Sequence, residues 1–114
     1  MNNSDDLCTP APIRSTYHDE TAMTELLDGF VDALPHRAAA IRDALAASDA
    51  DVMKTMAHQL KGAAGGYGYP DVSDAAAAIE SPLRSGEVDL NSLASKVDDL
   101  CELCERVIAG RGKA

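Results

Sequence analysis

Val52-Met53-Lys54-Thr55-Met56-Ala57-His58-Gln59-Leu60-Lys61-Gly62-Ala63-Ala64-Gly65-Gly66-Tyr67 is the stretch from which the rest of the chain can be read. Its apolar residues Val52, Met53, Met56, Leu60, Ala63, Ala64 and Tyr67 recur at three- and four-residue steps, the period of a helix with one buried stripe. At about 100° per residue, with Met56 at the stripe's centre, these residues fall within roughly 80° of it. His58 falls about 160° away, with Lys54, Lys61 and Gly65 within about 60° of it. The imidazole therefore stands on a polar face, with a lysine a turn before it and another shortly after. Gly62 and Gly65 leave bare backbone around it, although each glycine costs a helix about 1 kcal/mol relative to alanine. A helix that accepts this loss around a solvent-facing histidine gains access for something large and flat.

Working outward, Met1 to Ser15 is polar, holds Pro10 and Pro12, and has no periodicity. It reads as a flexible tail (1–15) ahead of a domain spanning 16–114. A first helix begins near Asp19, whose side chain can cap it, with Glu20 and Glu25 at the positive end of its dipole. Its stripe is Met23, Leu26, Leu27, Phe30, Val31 and Leu34. Pro35 suits the first turn of a second helix reaching Ala47, and Ser48-Asp49-Ala50-Asp51 offers caps for the histidine helix. Gly65, Gly66, Gly68 and Pro70 end that helix in a tight turn. Asp71 can cap the next helix, which Pro82 should kink or end. A last helix runs from about Leu90 to Ala109 on the stripe Leu90, Leu93, Val97, Leu100, Cys101, Cys104, Val107 and Ile108. Helical segments with short connections and no convincing strand predict an all-α protein, an antiparallel four-helix bundle with an additional N-terminal helix.

The composition narrows the function classes. The 114 residues suit one domain with one modest core. Hydrophobic residues make up 46% of the chain but aromatics only 4%, which favours closely packed helices. A net charge of −9 opposes binding to nucleic acid and to anionic lipid. No run of about 18 apolar residues occurs to span a membrane, and the N-terminus lacks the order of a secretory signal. A cytoplasmic protein fits best. Cys8, Cys101 and Cys104 make no disulfide framework. Cys101 and Cys104 form one CxxC with no partner pair to complete a zinc site. It lies in a helical stripe, where cysteine acts as a small apolar residue. His18 and His36 have no partners at site-like spacing.

The central stretch also resembles the signature of the histidine-containing phosphotransfer (HPt) domain family. In that signature an alanine and the phosphoaccepting histidine precede x-Leu-Lys-Gly, two small residues and a later glycine. Ala57, His58, Leu60, Lys61, Gly62, Ala63, Ala64 and Gly68 match, and Ile79-Glu80 falls where the family commonly has an apolar residue followed by Glu or Gln. The likeness covers roughly Glu20 to Ile108, with a departure at Tyr69-Pro70. It implies that His58 is the phosphoacceptor, Lys61 the phosphate-supporting lysine, Gly62 the position that keeps the histidine open, and Glu80 its hydrogen-bonding partner. It further implies a response-regulator receiver domain and a histidine kinase or hybrid kinase as partners. The receiver then supplies magnesium and most of the catalysis, so the chain itself binds no cofactor or metal and is a carrier, not an enzyme. Receivers in this family dock over the histidine helix and the first helix. Exposed residues near Met23 and Leu27, with Ala57 and Gly65, are therefore expected to form the contact.

The residues support that chemistry independently. A neutral imidazole can attack phosphorus through one ring nitrogen while the other donates a hydrogen bond that fixes the tautomer. Glu80, on the neighbouring helix of an antiparallel pair, is the candidate acceptor. Lys61 and Lys54 would offset the charge of an arriving phosphoryl group. The chain has no GxxxxGK[ST] loop and no Gly-rich kinase loop, so donor and acceptor machinery must come from partners. The expected function is a phosphorelay intermediate that takes a phosphoryl group on His58 and passes it to a receiver aspartate. The alternatives are a docking module that transfers nothing and a redox protein using Cys101 and Cys104.

Overall fold

Four amphipathic helices carry the chain in a computed structural model that describes residues 12–86 and 88–110. Helix α1 spans Thr24–Ala46, α2 Ala50–Gly66, α3 Pro70–Ser85 and α4 Ala94–Gly110. Single 3-10 turns, Thr21–Met23 and Leu90–Leu93, lead into α1 and α4. No strand occurs among the described residues. Each helix packs on the next, and α4 returns against α1, so short connections close an antiparallel bundle.

The segments on either side of Pro35 are one helix, not two. Pro35 lies inside α1, on its exposed side, while Leu34 and Ile41 are completely buried. An interior proline costs about 3 kcal/mol, whereas burying two such side chains contributes roughly 1.5–3 kcal/mol each. The continuous stripe therefore outweighs the break. The additional N-terminal helix becomes the first half of α1. Pro82 is likewise carried inside α3, between buried Ile79 and Leu83 and the end of the helix at Ser85.

Caps follow local chemistry. The Asp49 side chain accepts from the Val52 amide at 3.1 Å and starts α2. Pro70 itself opens α3, where its missing N–H is not needed, so Asp71 lies in the first turn and does not cap. Asp19 does not cap either, because the 3-10 turn precedes α1 and no side chain closes its end.

The inner face of α2 is Met53, Ala57, Leu60 and Ala64, each fully buried. Its centre lies about 70° round the helix from Met56, which leaves His58 roughly 130° from it. Val52, read as part of the stripe, is 42% exposed instead. The rotation has a packing cause. Ala57 and Ala64 on α2 and Ala76 on α3 are buried small residues, and small residues let helix axes approach closely. The α2–α3 pair is accordingly the most extensive contact in the bundle.

Residues 13–18 are not a tail but a strap across one end of the bundle; the tail reading of residues 1–11 falls outside the described residues. The Ile13 amide donates to the Arg106 carbonyl at 2.9 Å and the Thr16 amide to the Gly68 carbonyl at 2.8 Å. Buried Ser15 donates from Oγ to the Tyr67 carbonyl at 2.6 Å. Beneath the strap, Phe30 lies between Tyr67 and Tyr69, with ring centroids 5.3 Å away in each case. Gly68 holds φ +83°, and a Cβ there would stand 2.6 Å from Ser15 Oγ. Gly68→Ala should therefore lower unfolding stability in urea by about 1–3 kcal/mol, through strain and overpacking together. Unchanged stability would show that the strap does not close on this turn.

Candidate functional site

The site is built where α2 and α3 run side by side. Ser73 on α3 donates from Oγ to the Lys61 carbonyl at 2.9 Å, and a Cβ on Gly65 would lie 3.4 Å from that same hydroxyl. This hydrogen bond ties the two helices in the antiparallel register that brings Glu80 beside His58. The His58 side chain is 65% exposed, whereas that of Glu80 is only 6% exposed. A carboxylate at such depth must have partners for both oxygens, and it has them. Glu80 Oε2 accepts from His58 Nδ1 at 2.7 Å, and Oε1 meets Lys61 Nζ at 2.7 Å.

This arrangement settles which ring nitrogen is available. The Glu80 carboxyl is held below its ordinary range, first by the Lys61 hydrogen bond and then by that of His58, while burial pulls the other way. An ionised carboxylate only accepts, so Nδ1 carries the proton and Nε2 faces outward. Beside the ring, a Cβ on Gly62 would meet nothing within 4 Å. No packing demands glycine there. The geometry presents one nucleophilic nitrogen, fixed in tautomer and open to a large partner.

The family model of the Hpt domain matches residues 25–110. The chain belongs to the Hpt domain family. No curated protein and no solved structure matches it. Hpt domains are phosphocarrier modules of two-component signalling that act with kinases and receiver domains. Among the described residues, no helix is long and apolar enough to cross a membrane.

Within this Hpt domain, the residues expected at the site divide into groups. His58, Lys61 and Glu80 come together, although Lys61 is engaged by the carboxylate rather than standing free. Lys54 and His58 line one groove with Glu80. Ala57 and Leu27 offer no surface for docking: Ala57 is completely buried and Leu27 is 9% exposed, both in the core. Gly65 is exposed but turned toward Ser73. Met23 and Leu27 lie at another level of the bundle from His58. Phe30 packs on Tyr67, about 13 Å of helix rise beyond His58, and both residues lie further toward the strap. The large apolar side chain exposed on that part of α1 is Leu26, at 51%. Sequence reasoning missed Arg84, which lines the same groove as His58. Its position one turn after Glu80 on α3 was the available signal.

The CxxC belongs to the core. Cys101 and Cys104 are free and buried, and the Cys104 thiol is pushed up to about 12, chiefly by burial and then by Cys101. A thiol so placed is a poor nucleophile, which counts against the redox reading. Cys104 should resist thiol reagents in the native protein and react only on unfolding, as read by mass mapping; rapid native labelling would contradict this.

Glu80 also gives the fold a pH signature. Its folded-state pKa lies below the ordinary 4.5, so the unfolded state binds the proton first as pH falls. Its stabilising contribution is complete above that ordinary value and is lost as pH drops through the depressed one. Glu80→Gln should therefore lose less stability on acidification than the wild type, measured by urea unfolding at neutral pH and in the acid range. Parallel losses in both proteins would remove this coupling.

Proposed function

We propose that His58 accepts a phosphoryl group on Nε2 from a receiver aspartyl phosphate or a histidine kinase, and passes it to a receiver aspartate. The observation that carries this reading is the 2.7 Å hydrogen bond between His58 Nδ1 and buried Glu80, with the ring otherwise open to solvent. The Nε2 lone pair attacks phosphorus and a P–N bond forms. The P–O bond to the donor aspartate breaks, and its electron pair leaves on the carboxylate. The ring then bears a positive charge, with the proton still on Nδ1 and facing Glu80. Lys61 keeps Glu80 ionised so that it can stabilise that charge. Transfer onward reverses these steps on the acceptor's aspartate.

Such transfer is mostly positioning and charge stabilisation, which agrees with what the domain offers. In this reading magnesium travels with the receiver domain, and the domain works in the cytoplasm beside its partners.

A receiver charged with labelled acetyl phosphate should transfer acid-labile, alkali-stable label to the wild type and none to His58→Gln. Label on an intact His58→Gln protein would overturn the assignment. A charged receiver that binds the wild type but leaves it unlabelled would identify a docking module instead. Glu80→Ala should slow transfer about tenfold to a hundredfold, the range found when the group that orients a working imidazole is removed. A wild-type rate in that variant would show that Glu80 does not orient the ring.

A further inference from the structure

Arg37 stands in α1 on the row that faces α2. It follows Phe30 by seven residues, which returns it to within about 20° of the same direction, and Phe30 packs on Tyr67 at the end of α2. Because α1 and α2 run antiparallel through the connection at 47–49, seven residues along α1 correspond to about 10 Å of rise back along α2. Arg37 is therefore level with Leu60, roughly 3 Å of rise from His58. Glu80 flanks α2 on one side, and Arg37 flanks it on the other.

This guanidinium has no acidic neighbour in an acidic chain. Its Nε is buried and has no hydrogen-bond acceptor among the described residues, and no ion pair of Arg37 occurs among them. A donor shut away from water without an acceptor keeps its full desolvation cost. One turn to either side on α1 stand Ala33, Leu34, Ala40 and Ile41, and on α2 Met56 and Ala63 fall within about 40° of Tyr67. The chain has 19 acidic residues against 10 basic ones, yet none of these positions carries a carboxylate. Asp32 and Asp43, the α1 carboxylates nearest in sequence, lie about 140° and 120° away round the helix. Arg37 as a whole is half-buried, as are Ala33, Ala40, Met56 and Ala63. One cation is thus set in a shallow patch of small or pliable apolar side chains.

That setting is the one in which arginine anchors a protein interface, whose core is rich in Arg and Met and poor in other charges. The apolar neighbours already hold the stem of the side chain, so little side-chain freedom is lost when an acceptor arrives. A specific interface covers about 800 Å² of each partner, a patch wider than the roughly 10–12 Å diameter of one helix. A protein seated over His58 Nε2 therefore reaches across α2 to Arg37. The group that matches a planar guanidinium in apolar surroundings is a carboxylate, which accepts two parallel N–H bonds and cancels the charge. We propose that Arg37 is the specificity-determining anchor of the α1–α2 face and takes a carboxylate of the receiver domain that docks over His58. The inference rests on the carrier reading of His58 and deepens it by naming the residue that selects the partner.

The test uses a receiver domain that discharges its aspartyl phosphate onto the wild type, beside phosphoramidate, which phosphorylates histidine with loss of ammonia and needs no partner protein. Arg37→Met keeps an apolar stem and removes the charge and its donors. Its KM for the phosphorylated receiver should rise about tenfold to a hundredfold. Its kcat and its rate of phosphoramidate labelling should stay within about twofold of wild type, because only binding is lost. Urea should unfold it at the same or a higher concentration than wild type, since a buried donor without an acceptor is gone; a merely structural residue would move that midpoint down. Added salt should weaken receiver binding to the wild type more than to Arg37→Met, and Arg37→Lys should recover part of the affinity. An unchanged KM in Arg37→Met would overturn the proposal, as would a raised KM accompanied by slower phosphoramidate labelling or lower stability. Equal salt dependence in the two proteins would overturn the carboxylate. A receiver that binds the wild type without transferring phosphate, and binds Arg37→Met more weakly, keeps the anchor and removes the carrier reading. Transfer with an unchanged KM does the reverse.

Discussion

A carboxylate beneath the surface, with one oxygen on an imidazole and the other on an ammonium, is the constraint around which this domain is arranged. Glu80 is 4% exposed. A charge at that depth is tolerated only when both oxygens are satisfied, and His58 and Lys61 satisfy them at 2.7 Å each. Removing either partner would leave part of the carboxylate unpaired, so the three residues act as one unit. Its chemical output is at the other end of the ring: because Glu80 holds the Nδ1 proton, Nε2 is the nitrogen offered to solvent. The tautomer is thus set from inside the protein.

Holding that unit together is a matter of helix separation and register. Ala57, Ala64 and Ala76 are completely buried, and larger side chains there would push α2 and α3 apart. The Ser73 hydroxyl bonds to the Lys61 carbonyl, and Gly65 lies beside it. The strap over Gly68 closes the connection between the same two helices at one end. Small residues along the pair therefore contribute to function indirectly. They determine whether a carboxylate on one helix can reach a histidine on the other, and a shift of one turn, about 5.4 Å, would separate them entirely.

Much of this was legible in the sequence, for identifiable reasons. Helical periodicity located α2, α3 and α4, and α1 as two segments, because stripes such as Val97, Leu100, Cys101, Cys104 and Val107 have no competing pattern. The pairing of His58 with Glu80 followed from the signature and from antiparallel connection. What misled were residues whose local preference the tertiary structure overrides. Pro35 and Pro82 look like boundaries, but the burial of Leu34, Ile41, Ile79 and Leu83 carries the helices through them. Ala57 was expected at the contact because the resemblance places docking over the histidine helix, yet it is completely buried. Packing instead selected the small residue for closest approach and turned the helix by about 70°. Arg84 escaped notice because its place beside His58 depends on register across two helices, for which its spacing from Glu80 was the one hint.

The orientation of α2 also explains how one ring can reach both a buried partner and solvent. Had Met56 been central, His58 would stand about 160° from the core, at the crown of the helix and out of reach of α3. At about 130° it sits on the shoulder that faces α3, together with Lys54 and Lys61. The imidazole is thus near enough for a hydrogen bond to a buried group and exposed enough, at 65%, to meet another protein. A histidine turned further inward would keep its partner and lose its access; one turned further outward would keep its access and lose control of its proton. An exposed ring with a buried hydrogen-bond partner requires this intermediate angle.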